Sequence, residues 1–293
     1  MGIKNKKTAK KSISAGRPPS FHQKPKSIAR KVTKALINTH HVLEKRLLQA
    51  TRSGDHAAKA SIEAEIAALG GLERYQQASL QGQRKDRGGD SSRVLMDWVG
   101  EDAPEAAGEE HDRGRLRMLE VGALSTDNEC SRSGRFDMER IDLNSQGEGI
   151  LQQDFIERPL PRDGSERFDL ISLSLVLNFV PDPKGRGEML LRTLEFLHAP
   201  RGSESAASIS PGLFLVLPAP CVSNSRYMDE ERLERIMASL GFVMAHSKTT
   251  QRLVYYLWRR AKDRPSRHEG FPKKELRSGP TRNNFAIVLE GRG

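Results

Sequence analysis

Five positions in the middle of this chain have the residue types and spacing of a nucleotide-binding edge. Gly122 closes the apolar run that starts at Leu116, and Asp142 closes the run Arg140-Ile141. Asp154 and Phe155 follow soon after, and Ser174 lies at the carboxyl end of the strand read over 168–175 within the run Phe168–Val180. In an open parallel sheet, ligands collect outside the carboxyl ends of the strands. A glycine at the first strand end lets a ligand approach the backbone, and an acid about 20 residues later holds two ribose hydroxyls. Gly122 and Asp142 have that separation. Asp154 stands where it would accept from an adenine amino group, with the Phe155 amide donating to a ring nitrogen. This succession of roles is the layout of an S-adenosylmethionine pocket.

Other residues support that edge. Glu120 is expected to organise the loop after the first strand. Ser174 is expected beside the reactive methyl, as a backbone or hydroxyl contact. Arg87 lies in a loop with two glycines, and its guanidinium matches a carboxylate such as that of a methionine moiety. Asn178 and Phe179 stand at the mouth, where they could hydrogen-bond or stack on a target base.

These residues need a scaffold that brings strand ends together. Apolar runs place strands at 116–121, near 138–141, near 149–152, at 168–175 and at 212–217. Helices are expected at 185–198 and after Asp229, which caps a run of Leu233, Ile236, Met237 and Leu240. Residues 242–245, 253–258 and 285–289 are strand candidates that could supply a terminal antiparallel pair. The segment between the first two strands is poor in apolar residues, so its helix should be short or distorted. Strands alternating with helices mean an α/β, doubly wound, Rossmann-like sheet.

The chain divides into a basic tail over 1–27, a helical extension over 28–99 and the sheet domain over 115–293. In the extension, Ile28, Val32, Ala35, Leu36, Leu43 and Leu47 recur at helical spacing. A second helix is expected over 55–69, with Ile62, Ile66 and Leu69 on one face. A third, short one is expected over 72–81, and a fourth, capped by Asp90 or Ser91, carries Val94, Leu95, Trp98 and Val99. The extension through residue 92 is expected to fold back on the sheet and close Arg87 over the cofactor.

Charge is concentrated at the start. Residues 1–50 hold 13 Lys and Arg against one acid, Glu44, whereas the other 243 residues hold 35 basic and 37 acidic ones. A near-neutral domain with a basic arm is the electrostatic footprint of a polyanion binder. Lys24, Lys26, Arg30, Lys31 and Lys34 are the arm's candidate RNA contacts. Two cysteines, Cys130 and Cys221, and eight histidines without ligand spacing leave no metal site to expect. No apolar run approaches a membrane span.

The blocks Gly70–Gln83, Arg87–Ser92, Leu119–Ser125, Ser174–Pro183 and Asn283–Val288 resemble the fungal base methyltransferase family that makes N1-methyladenosine in large-subunit ribosomal RNA. Animal relatives of that family act as S-adenosylmethionine sensors. The resemblance implies a Rossmann-like methyltransferase fold, S-adenosylmethionine as donor, the large-subunit RNA or pre-ribosome as partner, and residence in the nucleus and nucleolus. It offers sensing, with a protein partner, as the alternative to catalysis. The loop after Glu120 departs from the common methyltransferase pattern, since only the first of its alternating glycines is kept. The chemistry implied asks for no single catalytic residue, because adenine N1 carries a lone pair at neutral pH.

Overall fold

The computed structural model describes residues 30–71, 90–101, 115–145, 147–200, 209–262 and 268–291. Its helices are α1 (Arg30–Ser53), α2 (His56–Ala68), α3 (Ser92–Glu101), α4 (Glu129–Arg132), α5 (Pro183–Phe196), α6 (Pro220–Ser223) and α7 (Glu230–Ser239). Its strands are β1 (Leu116–Val121), β2 (Phe136–Asp142), β3 (Leu151–Gln152), β4 (Leu170–Ser174), β5 (Gly212–Pro218), β6 (Phe242–Thr249) and β7 (Leu253–Arg260).

The strands form one sheet in the order β3-β2-β1-β4-β5-β7-β6. The first five pair in parallel, and β7 runs antiparallel to both β5 and β6. From β1 the chain steps outward to β2 and β3, then returns to lay β4 on the opposite side of β1. That reversal is the topological switch point, where a crevice opens above the carboxyl ends.

Period-two alternation splits the strands' apolar residues between two cores. On one face Leu119, Val121, Ile171, Leu213 and Leu215 pack with Met189, Leu190 and Leu194 of α5 and Leu233, Ile236 and Met237 of α7. On the other, Met118, Leu170, Phe214 and Val216 meet Leu95, Trp98 and Val99 of α3 and Cys130 of α4. A sheet buried on both faces needs near-continuous apolar strands, which is why β5 reads as an unbroken run from Leu213 to Leu217.

Carboxylates start the helices, as expected for Asp229 and Asp90, and at Asp182 as well. Asp229 accepts from Arg232 N at 2.9 Å, Asp182 from Gly185 N at 3.2 Å, and Asp90 from Ser92 N at 2.9 Å. Such caps are each worth about 1 kcal/mol. The helix between β1 and β2 is short, only the four residues of α4.

Two expectations are corrected. Residues 285–289 form no strand; the segment runs extended, with an isolated bridge between Phe271 and Leu289. The terminal antiparallel pair is β6 with β7. On α1, Val32 and Ala35 are exposed, whereas Leu43, Leu47 and Ala50 pack with Ile62 and Ile66 of α2 in a cluster of their own. The reason is length: at 1.5 Å per residue the 13 residues of α2 reach only about half of the 24-residue α1. The short helix expected over 72–81 lies outside the described residues.

Candidate functional site

At the end of β1 the chain turns through Gly122 at φ +75°. Its N–H donates to Ile141 O at 2.8 Å, which locks the turn against β2. A Cβ at this position would stand 2.5 Å from Val176 Cγ2, so both backbone angle and space call for glycine.

Below that turn, Glu120 is held by its surroundings, as expected of a loop organiser. Asn128 Nδ2 donates to both of its oxygens, at 3.0 and 2.9 Å, and Arg140 Nε stands 4.0 Å away. Burial pushes its carboxyl up to about 7, the Asn128 hydrogen bonds and Arg140 pull it back, and nearby Asp90 raises it further. Asn128 also caps α4 through Ser131 N at 2.9 Å. Asp90 accepts from Glu129 N at 2.6 Å, and Ser92 Oγ accepts from the same N–H at 3.1 Å. The start of α3 is thereby fastened to the loop that follows β1.

Asp142 ends β2 one strand away, since Val121 and Ile141 are register partners. Its Oδ1 accepts from Asn144 N at 2.9 Å, and its carbonyl from Gln153 N at 2.9 Å. The second bond places Asp154 and Phe155 beside it. Asp154 Oδ1 accepts from Ile156 N at 2.8 Å. Phe155 buries its ring against Phe196 with centroids 5.3 Å apart, and its N–H has no acceptor among the described residues. Arg192 of α5 anchors this loop, donating through Nε to Phe155 O at 2.7 Å and also to Arg158 O. Leu143 next to Asp142 is 66% exposed, and Leu151 is 57% exposed. An exposed leucine beside an acid offers the kind of apolar surface that a purine ring covers.

Ser174 ends β4 on the other flank of β1. Its Oγ lies 2.7 Å from Ser91 Oγ, which carries the segment before α3 to the crevice. Leu175 follows at φ +59°, a left-handed angle that a branched residue rarely adopts. The turn it starts brings Val176 over Gly122 and lets Phe179 N donate to Val176 O at 2.9 Å. Asn178 Oδ1 is buried there without a hydrogen-bond partner. Buried polar atoms are ordinarily paired, so this atom, unpartnered among the described residues, is an exception in the turn. Arg186 of α5 secures the turn, donating to Val180 O at 2.8 Å and to Ala286 O at 2.6 Å, with its guanidinium 4.6 Å above the Phe285 ring.

The fold thus gathers Gly122, Asp142, Asp154, Phe155 and Ser174 along one edge, with Glu120 beneath and Asn178 and Phe179 above. Arg87, Lys24 and Lys26 lie outside the described residues. Arg30, Lys31 and Lys34 belong to α1, and their side chains lie outside the description. Sequence reading missed Asn128, Arg140, Arg192 and Leu143. The first three are ordinary polar residues whose partners come from other segments. Leu143 could have been found, as an apolar residue directly after the strand-ending acid.

Comparison with known proteins returns one family. The model described as 25S rRNA (adenine(2142)-N(1))-methyltransferase, Bmt2, matches residues 60–287. The 25S rRNA (adenine(2142)-N(1))-methyltransferase of Saccharomyces cerevisiae is 41% identical over 230 residues, covering 77% of this chain. This chain spans 62% of that relative's length. The 25S rRNA adenine-N(1) methyltransferase of Schizosaccharomyces pombe is 38% identical over 264 residues, covering 88% of this chain and 91% of its own. Among solved structures, the N-methyltransferase NodS from Bradyrhizobium japonicum, in complex with S-adenosyl-l-homocysteine, matches at 12% identity with a TM-score of 0.37, over 62% of this chain and 97% of that one.

Proposed function

The chain belongs to the Bmt2 family of 25S rRNA (adenine-N(1))-methyltransferases, and from that premise we propose that it methylates N1 of an adenine in large-subunit ribosomal RNA. The observation that carries the reading is positional. Gly122, Asp142, Asp154 and Ser174 all stand at strand ends around the switch point and inside the matched span.

S-adenosylmethionine, when bound, supplies an electrophilic methyl on a sulfonium whose departure leaves a neutral thioether. The residues present fit it. Asp142 accepts from the ribose hydroxyls, the Asp154 carboxylate from the adenine amine, and the unengaged Phe155 N–H donates to a ring nitrogen. Leu143 covers a face of the purine. The turn at Gly122 would lie beside the chain that leads to the sulfur, and Ser174 would border the methyl. Arg87 remains our candidate for the carboxylate end.

The target adenine must leave its stack, because N1 lies on the Watson–Crick edge. Asn178 Oδ1 is suited to accept from the exocyclic amine adjacent to N1, and Phe179 to stack on the ring. No group has to remove a proton from N1, so catalysis rests on alignment and exclusion of water. Positive charge grows on the ring as the methyl arrives, and a carbonyl or carboxylate near the pocket mouth would stabilise it. The basic arm, with Lys24, Lys26, Arg30, Lys31 and Lys34, holds RNA phosphates, and a nucleolar location follows from the same proposal.

The test is direct. Purified protein, labelled S-adenosylmethionine and large-subunit RNA lacking the modification are incubated, and the RNA is digested to nucleosides for mass spectrometry. Label in N1-methyladenosine is the expected result. Cofactor binding without RNA binding or methyl transfer would replace the enzyme by a sensor.

A further inference from the structure

Three segments far apart in sequence meet at the edge formed by the carboxyl ends of β5 and β6 and the amino end of β7. They are 219–228 after β5, the β6–β7 hairpin 246–253, and the stretch 276–284. Ala219 N donates to Arg252 O at 2.8 Å, joining the first to the second. Arg226 N donates to Asn283 O at 3.0 Å and Asn283 Nδ2 to Pro220 O at 2.6 Å, joining the first to the third. Arg277 ties the group from within, donating to the carbonyls of Val222, Ser223, Ser225 and Met228.

Together these segments carry Arg226, Lys248, Arg252, Arg277 and Arg282 and not one Asp or Glu. The bias is local, since the chain beyond residue 50 is slightly acidic as a whole. Lys248 and Arg252 are exposed, and neither side chain has a hydrogen-bond or ion-pair partner among the described residues. The hairpin from residue 247 to 252 is exposed and polar throughout. It stands on the same edge as Ser174, because Ser174 pairs with Val216 and Pro218 with Leu253.

We propose that this basic rim is a second RNA-docking surface, separate from the N-terminal arm, that grips the phosphates flanking the target nucleotide. The inference rests on the RNA methyltransferase reading and adds to it the place where the substrate strand lies. An extruded base in the crevice leaves its flanking backbone outside the strand ends, and the rim borders that exit on the β5 side. A point charge without a protein partner is free to replace a condensed counterion, which is the source of salt-dependent affinity.

The experiment uses the full chain and a single-stranded large-subunit RNA fragment. The double variant Lys248→Gln with Arg252→Gln removes two exposed, unpartnered cations. A control, Arg115→Gln with Arg135→Gln, removes two exposed cations that precede β1 and β2 at the opposite edge. Binding is measured across a salt series. Each phosphate contact on a single strand contributes roughly 0.7 to the log–log slope, so the rim variant should lower it by about 1.4. The control should leave the slope unchanged, and calorimetry should show wild-type cofactor affinity in both. The RNA KM of the rim variant should rise while its cofactor KM holds. A wild-type slope in the rim variant, or equal losses in both variants, overturns the docking surface while methylation by the wild type stands. A wild type that neither binds RNA nor methylates it overturns both.

Discussion

Replacing Glu120 by glutamine should remove a pH dependence from the stability of this protein. Burial pushes the Glu120 carboxyl from 4.5 to about 7 in the folded state. The unfolded chain keeps the ordinary value, so between those two pH values the folded form holds a proton that the unfolded form has lost. Stability therefore falls as pH rises through this window, and the full cost is felt above pH 7. At about 1.4 kcal/mol per tenfold change, the whole shift corresponds to about 3 kcal/mol. Most of it, about 2–3 kcal/mol, is expressed between pH 5 and pH 8. Glutamine has the same shape, keeps an oxygen for Asn128 Nδ2, and never ionises. It also loses the attraction to Arg140 at 4.0 Å, but only where wild type is charged. Urea denaturation of both proteins at pH 5, 6, 7 and 8 reads the difference. The two should be close in stability at pH 5, and the variant should gain by about 2–3 kcal/mol at pH 8. A stability difference that stays constant across this range would refute the argument that Glu120 is buried at a desolvation cost.

Four further outcomes follow from the same geometry. Asp142→Ala should weaken S-adenosylmethionine binding by about 1–3 kcal/mol in calorimetry, through ribose hydroxyls left without an acceptor. Gly122→Ala should cost about 1–2 kcal/mol from the left-handed backbone alone. The added Val176→Ala change should relieve the 2.5 Å contact and leave that backbone cost in place, as thermal denaturation of the single and double variants would read. Asn178→Ala should lower the methyl-transfer rate by about 1–2 kcal/mol in barrier while leaving cofactor affinity intact; a matched loss of cofactor affinity would assign Asn178 to the cofactor instead. Gly187→Ala would set a Cβ 2.0 Å from Val288 O, a backbone atom with little freedom to move. Hydrogen exchange should then show the 283–291 segment lifting from α5 with loss of protection at its amides.

The residues along the chain already located most of the frame. Strand ends read at 121, 141 and 175 fall within one residue of those observed, and the Gly122-to-Asp142 interval needs nothing beyond the sequence. The carboxylate cap of α7 is equally local, since Asp229 reaches the amide three residues on. Residues 285–289 misled because apolarity marks burial without saying what buries it. Here the buried guanidinium of Arg186 and the close packing at Gly187 hold the chain against a helix, where sheet pairing seemed due.

What the sequence determined by itself is everything set within a few residues or by composition: the strand runs, the caps, the shape of the nucleotide edge, and the concentration of charge in the first 50 residues. Tertiary structure alone decided the protonation of Glu120, which sums burial with Asn128, Arg140 and Asp90 from three separate segments. It alone turned Asn178 Oδ1 inward without a partner, and it alone collected five scattered cations from three loops onto one rim. The physical reason is range. Backbone preference and capping act over one or two turns of chain, whereas desolvation and Coulomb terms depend on distance through space, which only the completed fold assigns.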